Sequence, residues 1–444
     1  MKSSIKLLFA SMLGVAFIAC SCTKPIDDSP QTPEPQLPAA ERHEVFQLLN
    51  PTDIPYRIPA LAVTKDGTLI AVADYRHSGT DIGVTDKGRI DLHYRLSNDN
   101  GNTWSEVKTL INGQGAESPD FMNVGFGDPC IVADRESSRV LLLSCAGNVS
   151  FQNGTRQKHQ NIARFYSEDC GKTWSAPEDI AESIYSQFDA SSYGPVRSMF
   201  VASGRIMQSR ITKVGNYYRL YCAVLVRDRQ ATHMNYVLFS DDFGGTWKVL
   251  GNINKPAVYG TADEPKVEEL PNGTIIISSR YNGGRYYNYF TYTDVDSGAG
   301  NWEDAKFSGA SNGGVESKDN STNGEIMLIP VTRVADKKST YIILQSVPLG
   351  PSRKNVGIYY KELADENEDY ISPIEFARNW DGVTQITSLN SAYSTMAWQR
   401  DNRLGFLYEE ETHGTSNLAY GGYTIVYECF DVEDLTDGKY TYRK

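Results

Sequence analysis

Three aspartates, Asp99, Asp169 and Asp242, occupy one position in three near-identical octapeptides: SNDNGNTW (residues 97–104), SEDCGKTW (167–174) and SDDFGGTW (240–247). A carboxylate so placed can do acid–base chemistry or can accept hydrogen bonds from the backbone of its own turn. A catalytic acid is not needed in triplicate at equivalent points of a repeat, so the structural use is expected. In S-x-D-x-G-x-T-W, Gly101, Gly171 and Gly244 permit positive φ, and Trp104, Trp174 and Trp247 are suited to pack between strands. TDVDSGAGNW (293–302) reads as a degraded fourth copy. The D-x-[DN]-x-[DN]-G-x₅-E series of a calcium loop is absent.

Other chemistries find little support. Residues 309–313, GASNG, satisfy G-x-S-x-G, but the sequence suggests neither a strand leading in nor a helix leading out, as a nucleophilic serine requires. There is no P-loop, no H-E-x-x-H and no dinucleotide fingerprint, so no cofactor and no metal is implied. Histidines number 6 and tyrosines 27, which lowers the prior for His-centred triads. Of seven cysteines, Cys130, Cys145, Cys170, Cys222 and Cys429 fall in the body of the chain, without a C-x-x-C pair. Buried free thiols are expected, with at most one bridge.

The elements that carry these residues repeat. A turn followed by an apolar strand recurs in KDGTLIAVAD, ESSRVLLLS, ASGRIMQSR, PNGTIIISS, TNGEIMLIP and RDNRLGFLYE. With turn positions at Gly67, Ser138, Gly204, Gly273, Gly324 and Asn402, the mean interval is 67 residues, and six such units fill residues 41–444. Each holds short β-branched and aromatic runs broken by Gly, Asn, Asp or Pro, and helical periodicity is nearly absent. Repeated multi-stranded units without helices predict an all-β, six-bladed β-propeller of four-stranded antiparallel blades. A pair of sandwich domains is the competing all-β reading, but no linker-like composition interrupts the body.

The amino terminus, MKSSIKLLFASMLGVAFIACSC, has two lysines, a short apolar run and a small residue before Cys20. That is an export signal rather than a spanning helix. Residues 1–22 resemble a lipoprotein-type signal peptide with Cys20 as the lipidated residue and Cys22 as a competing site. Residues 23–40, rich in proline, are expected to form a disordered tether, leaving 41–444 as the propeller. The expected location is exported: a bacterial outer-membrane or periplasmic lipoprotein, or the cell surface. With 43 basic and 55 acidic residues the formal charge is -12, which argues against nucleic acid. The membrane is expected only through the lipid anchor, and the protein is expected to be a monomer.

The octapeptides are Asp-boxes, and with YRIPAL at residues 56–61 the body resembles the bacterial exo-alpha-sialidase (neuraminidase) family of retaining glycoside hydrolases from about residue 45 to 430. The resemblance implies removal of terminal sialic acids from glycoproteins, glycolipids or oligosaccharides. In that family three arginines grip the substrate carboxylate, whose planar pairing suits guanidinium. The matching positions are Arg57 in YRIPAL, Arg280 ending TIIISSR, and Arg353 in VPLGPSRKNVGIYY, where Val347-Pro348 replaces the usual His-Pro. Sialidases use a tyrosine nucleophile in place of a carboxylate. Repulsion by the substrate's own carboxylate accounts for the choice. The match is Tyr393 in NSAYSTM, and Glu264 in DEPKVEEL matches the activating base. Asp81, five residues after Arg76 in ADYRHSGTD, matches the acid–base residue, with Asp74 and Asp86 as rivals, and Arg76 the neighbouring substrate contact. Its pKa should rise on closure over the sugar. Asp128 in GFGDPC resembles the contact to the ring substituents. Glu409 in FLYEE resembles the carboxylate that pins the first arginine, with Glu410 the near alternative. Tyr287 and Tyr289 are expected in the pocket wall. Two alternatives remain: a sialoglycan-binding propeller without catalysis, and a trans- or intramolecular sialidase.

Overall fold

Six apolar seams, rather than one central core, hold the molecule together. In the computed structural model, residues 42–85, 88–363, 372–415 and 422–444 are described, and the chain forms a six-bladed β-propeller. The signal-peptide and tether expectations, and the rival Asp86, lie outside the described residues.

Blade 1 contains Tyr56–Val63, Leu69–Arg76, Ile90–Ser97 and Lys108–Ile111. Blade 2 contains Phe126–Ala133, Val140–Ala146, Asn161–Ser167 and Glu178–Asp179, with Gly204–Arg205 added in parallel on its inner edge. In blade 3, Ser198–Val201 and Met207–Val214 share the inner edge of Tyr217–Arg227, and His233–Ser240 follows. Blade 4 runs through Pro265–Glu269, Ile275–Tyr281 and Gly284–Asp294. Blade 5 runs through Ile326–Arg333, Ser339–Pro348, Val356–Leu363 and Gly382–Gln385, with Tyr440–Tyr442 on its inner edge. Blade 6 contains Ser391–Trp398, Leu404–Glu410 and Thr424–Phe430, and is completed by His43–Phe46 from the other end of the chain. Among the described residues only blades 1 and 6 have the four strands expected. The others carry five or six, because short additional strands pair along their edges.

Side chains alternate across each strand, so neighbouring residues enter opposite seams. Leu141 and Leu143 pack between blades 2 and 3, whereas Val140 and Leu142 pack between blades 1 and 2. A strand buried on both faces reads as an unbroken apolar run, as VLLLS does. Two of the six repeat turns need correction. The blade 3 hairpin turns at Gly215 and the blade 5 hairpin at Lys337, not at Gly204 and Gly324. Those two glycines precede the hairpin and answer to close packing instead. A Cβ on Gly204 would lie 2.5 Å from Lys266 Nζ, and one on Gly324 would lie 1.7 Å from the Ser346 carbonyl oxygen.

The repeated octapeptides join neighbouring blades. Asp99, Asp169 and Asp242 each accept from the backbone N–H of the threonine four residues on, at 2.9, 2.9 and 2.8 Å, and from its hydroxyl. Their glycines press on the preceding blade: a Cβ on Gly101 would meet Tyr427, one on Gly171 Ile70, and one on Gly244 Leu141, all within 2.5 Å. Trp104 meets the Tyr427 ring edge-on at 5.3 Å, across the seam that closes the ring. The degraded copy follows suit, with Gly298 against Phe239.

Three further differences concern side chains. Tyr287 and Tyr289 are buried in the seam between blades 4 and 5 and are not pocket wall. Strand Lys306–Gly309 does lead into GASNG, but a single 3-10 turn follows and Ser311 is exposed. The five body cysteines are free thiols, four of them buried. Among the described residues no helix is long and apolar enough to cross a membrane.

Candidate active site

Irregularities in three inner strands build the site. Pairing slips between Arg57 and Ala60, between Gly127 and Cys130, and between Ser391 and Ser394. Such bulges re-aim side chains. Ile58 and Asp128 take positive φ, 56° and 54°, each directly before a proline. The result brings Arg57, Asp128 and Tyr393 together, where they line a cavity of about 300 Å³ with Asp81, Glu264, Arg280 and Arg353. Phe151, Phe200 and Leu225 line the same cavity, together with Gln152, Gln160 and His233. Charged groups with a few apolar side chains suit a small, carboxylated, partly apolar ligand.

Tyr393 sits at the focus. Its hydroxyl donates to Glu264 Oε1 at 2.7 Å and accepts from Arg280 Nη1 at 3.0 Å, and Arg280 Nη1 also lies 2.9 Å from Glu264 Oε2. The Arg57 and Arg353 guanidinium carbons lie 5.6 and 5.7 Å from the Tyr393 ring centroid. Burial pushes the Tyr393 phenol well above its usual range, and Glu264 adds to this against Arg280 and Arg353. The hydroxyl is therefore a neutral phenol at rest, with Glu264 in line to take its proton.

Glu409 organises the first arginine. Its carboxylate accepts from Arg57 Nε at 2.8 Å, from the Ile58 N–H at 2.7 Å and from the Tyr393 N–H at 3.0 Å. Glu410 points away, accepting from Arg42 and from Thr412 Oγ1.

Arg76 is shared by three carboxylates. Asp74 accepts from its Nε and Nη2 at 3.0 and 2.7 Å, Asp81 is paired with Nη1, and Asp128 Oδ1 lies 3.6 Å from Nη2. Asp74 is fully buried and also accepts from the Asp128 N–H at 2.9 Å, so it orients the other two groups and is not itself at the cavity. Burial, then the charge of Asp74, drives the Asp128 carboxyl well above the carboxylate range. The Asp81 side chain is 65% exposed, and Arg76 holds its carboxyl below the usual range.

Sequence reasoning missed Asp263, Ser321 and Tyr423. Asp263 Oδ2 lies 3.3 Å from Arg280 Nε, Ser321 Oγ accepts from the same nitrogen at 2.9 Å, and the Tyr423 ring faces Arg57 at 5.3 Å. Only Asp263 left a signal, as the neighbour of Glu264. Among the described residues no group of His, Cys, Asp and Glu side chains is spaced to hold a metal ion.

No family model matches the chain. Its similarities are to sialidases: 31% identity over 235 residues with one from Micromonospora viridifaciens, covering 51% of this chain and 32% of that one. With a sialidase from Clostridium perfringens it shares 24% over 391 residues, covering 85% and 90%. Among solved structures, the intramolecular trans-sialidase from Ruminococcus gnavus superposes with a TM-score of 0.65 at 18% identity, over 89% of this chain and 98% of that one. A Trypanosoma rangeli sialidase gives 0.62 at 19%, over 88% and 60%. The chain is thus similar to sialidases in part of its sequence and in its fold. It spans 32%, 57% and 40% of the length of three of the curated relatives it matches.

Proposed function

We propose that the protein is an exo-alpha-sialidase that removes terminal sialic acids from glycoconjugates with retention, through a covalent tyrosyl intermediate. The observation that carries this reading is the Tyr393 hydroxyl held between Glu264 and Arg280, beside Arg57 and Arg353. A binding protein needs the arginines to hold a sugar carboxylate, but has no use for a buried phenol aimed at a carboxylate base.

The residues divide the work as follows. Arg57, Arg280 and Arg353 neutralise the substrate carboxylate, which flanks the anomeric carbon where positive charge develops. The Tyr393 oxygen bonds to that carbon as its proton passes to Glu264. The glycosidic C–O bond breaks, and the leaving oxygen takes a proton from Asp81. Water then gives its proton to Asp81 and its oxygen to the anomeric carbon, and the tyrosyl bond breaks as the proton returns from Glu264. Asp81 needs its pKa raised for the first step. A sugar ring laid over it removes water and supplies that rise by desolvation. Asp128, driven toward its protonated form, is placed to donate to a ring substituent.

A fluorogenic sialoside tests the reading. Turnover by the wild type that is lost in Tyr393→Phe, with binding retained, supports it; binding without turnover in either protein makes the chain a lectin. Mass analysis of the product separates hydrolysis from intramolecular transfer, a reaction named for the structural neighbour from Ruminococcus gnavus. The sequence at Cys20 supports a lipid anchor on an exported protein, and loss of acyl labelling in Cys20→Ser checks it.

A further inference from the structure

Arg76 is not the only restraint on Asp81, and we infer that Ile82 and Gly83 are positioning residues that set the Asp81 carboxyl at proton-transfer range over the pocket. This rests on the proposed role of Asp81 as proton donor.

The exposed Asp81 is followed by Ile82, which is only 2% exposed and belongs to the buried apolar cluster that also holds Cys145, Ile162 and Val196. Gly83 comes next, at φ +66°. It lies so close to blade 2 that a Cβ would stand 2.3 Å from the Ser150 nitrogen and 2.4 Å from the Val149 carbonyl carbon. Both neighbours are backbone and cannot swing aside. The Val84 N–H donates to the Asp81 carbonyl at 3.2 Å, closing a turn that starts at Asp81. The acid therefore projects from a turn clamped twice: a side chain sunk into an apolar cluster, and a backbone-to-backbone contact that only glycine permits. The contacted segment runs on into Phe151 and Gln152, which line the same cavity. One contact thus ties the acid's turn to a segment that lines the same cavity.

A methyl group at residue 83 must push the turn outward by roughly an ångström, enough to cost about 100-fold in a proton transfer that depends on position. The readout is leaving-group dependence. An alkyl-linked sialoside such as sialyllactose needs its departing oxygen protonated, whereas a nitrophenyl sialoside does not. For Gly83→Ala, kcat/KM on sialyllactose should fall about 100-fold while kcat/KM on the aryl sialoside stays within about threefold. Because kcat/KM ends at bond cleavage, the later role of Asp81 as base does not enter. Ile82→Ala adds no atoms and frees the same turn, so it should show the same split with smaller loss, and it carries the test alone if Gly83→Ala does not fold. Equal losses on both substrates, or no loss on either, overturn the inference. A wild type that cleaves neither substrate overturns the functional proposal instead.

Discussion

The Glu409 carboxylate of blade 6 grips the Arg57 guanidinium of blade 1, Oε1 to Nε at 2.8 Å, across the seam where the ring closes. Both side chains are buried, and the same carboxylate holds the Tyr393 N–H. In Glu409→Gln the arginine loses its counter-charge in a dry setting, which costs about 3–5 kcal/mol. Denaturant unfolding should report that loss, together with a raised KM for any sialoside. An unchanged midpoint would sink the assignment of Glu409 as the anchor of Arg57.

Glu264→Gln keeps an oxygen able to accept from the Tyr393 hydroxyl but cannot take its proton. Steady-state kinetics should show kcat reduced about 10²–10⁴-fold, the usual worth of a general base. A loss of less than tenfold would mean that some other group receives the proton.

Asp242→Ala removes the acceptor for the Thr246 N–H and hydroxyl, both at 2.8 Å, and should lower stability by about 1–2 kcal/mol while leaving kcat intact. Gly171→Ala should be worse, by about 1–3 kcal/mol, since its Cβ would lie 2.5 Å from Ile70 Cδ1 at φ +82°. A drop in kcat without loss of stability would give these aspartates a part in the chemistry.

Acid stability should depend on Glu268, buried between Arg205 and Arg210 at 2.9 and 2.6 Å. Burial alone pushes its carboxyl up, but Arg210 and Arg205 outweigh it and bring it down to about 2, from 4.5. A depressed carboxylate stabilises the fold above its unfolded pKa, and that contribution disappears as pH falls through the folded value. The wild type should therefore lose about 3 kcal/mol between pH 4.5 and 2. Glu268→Gln should start less stable and show a flatter slope there. Parallel slopes in the two proteins would exclude Glu268 as the source.

Repetition made the architecture legible. Turn-then-strand units and three octapeptides needed no partner information to be seen, and they set the number of blades. What local pattern could not reveal is pairing between distant segments. Two-residue strands such as Glu178–Asp179 leave no periodicity, and nothing in HEVF says that it joins blade 6. Gly204 and Gly324 misled because a glycine needed for close blade packing looks like a glycine needed for a turn. In the site, Arg57, the Glu264–Arg280 pair and Tyr393 lie far apart in sequence and were recognised by motif. Asp81 was readable as an acid, but not its exposure, and Tyr287 and Tyr289 were misplaced because their strand turns them into a seam.

The strand His43–Phe46 pairs with residues 425–427, so the first part of the body to leave the ribosome waits for almost the last. Contacts of such long sequence separation form late in folding. Arg57 lies just beyond that waiting strand, and its anchor, Glu409, also comes near the end of synthesis. A nascent chain released before blade 6 is made carries Arg57 without Glu409 and lacks Tyr393 altogether. Assembly of the candidate site and completion of the circle thus coincide in a single terminal event of biogenesis.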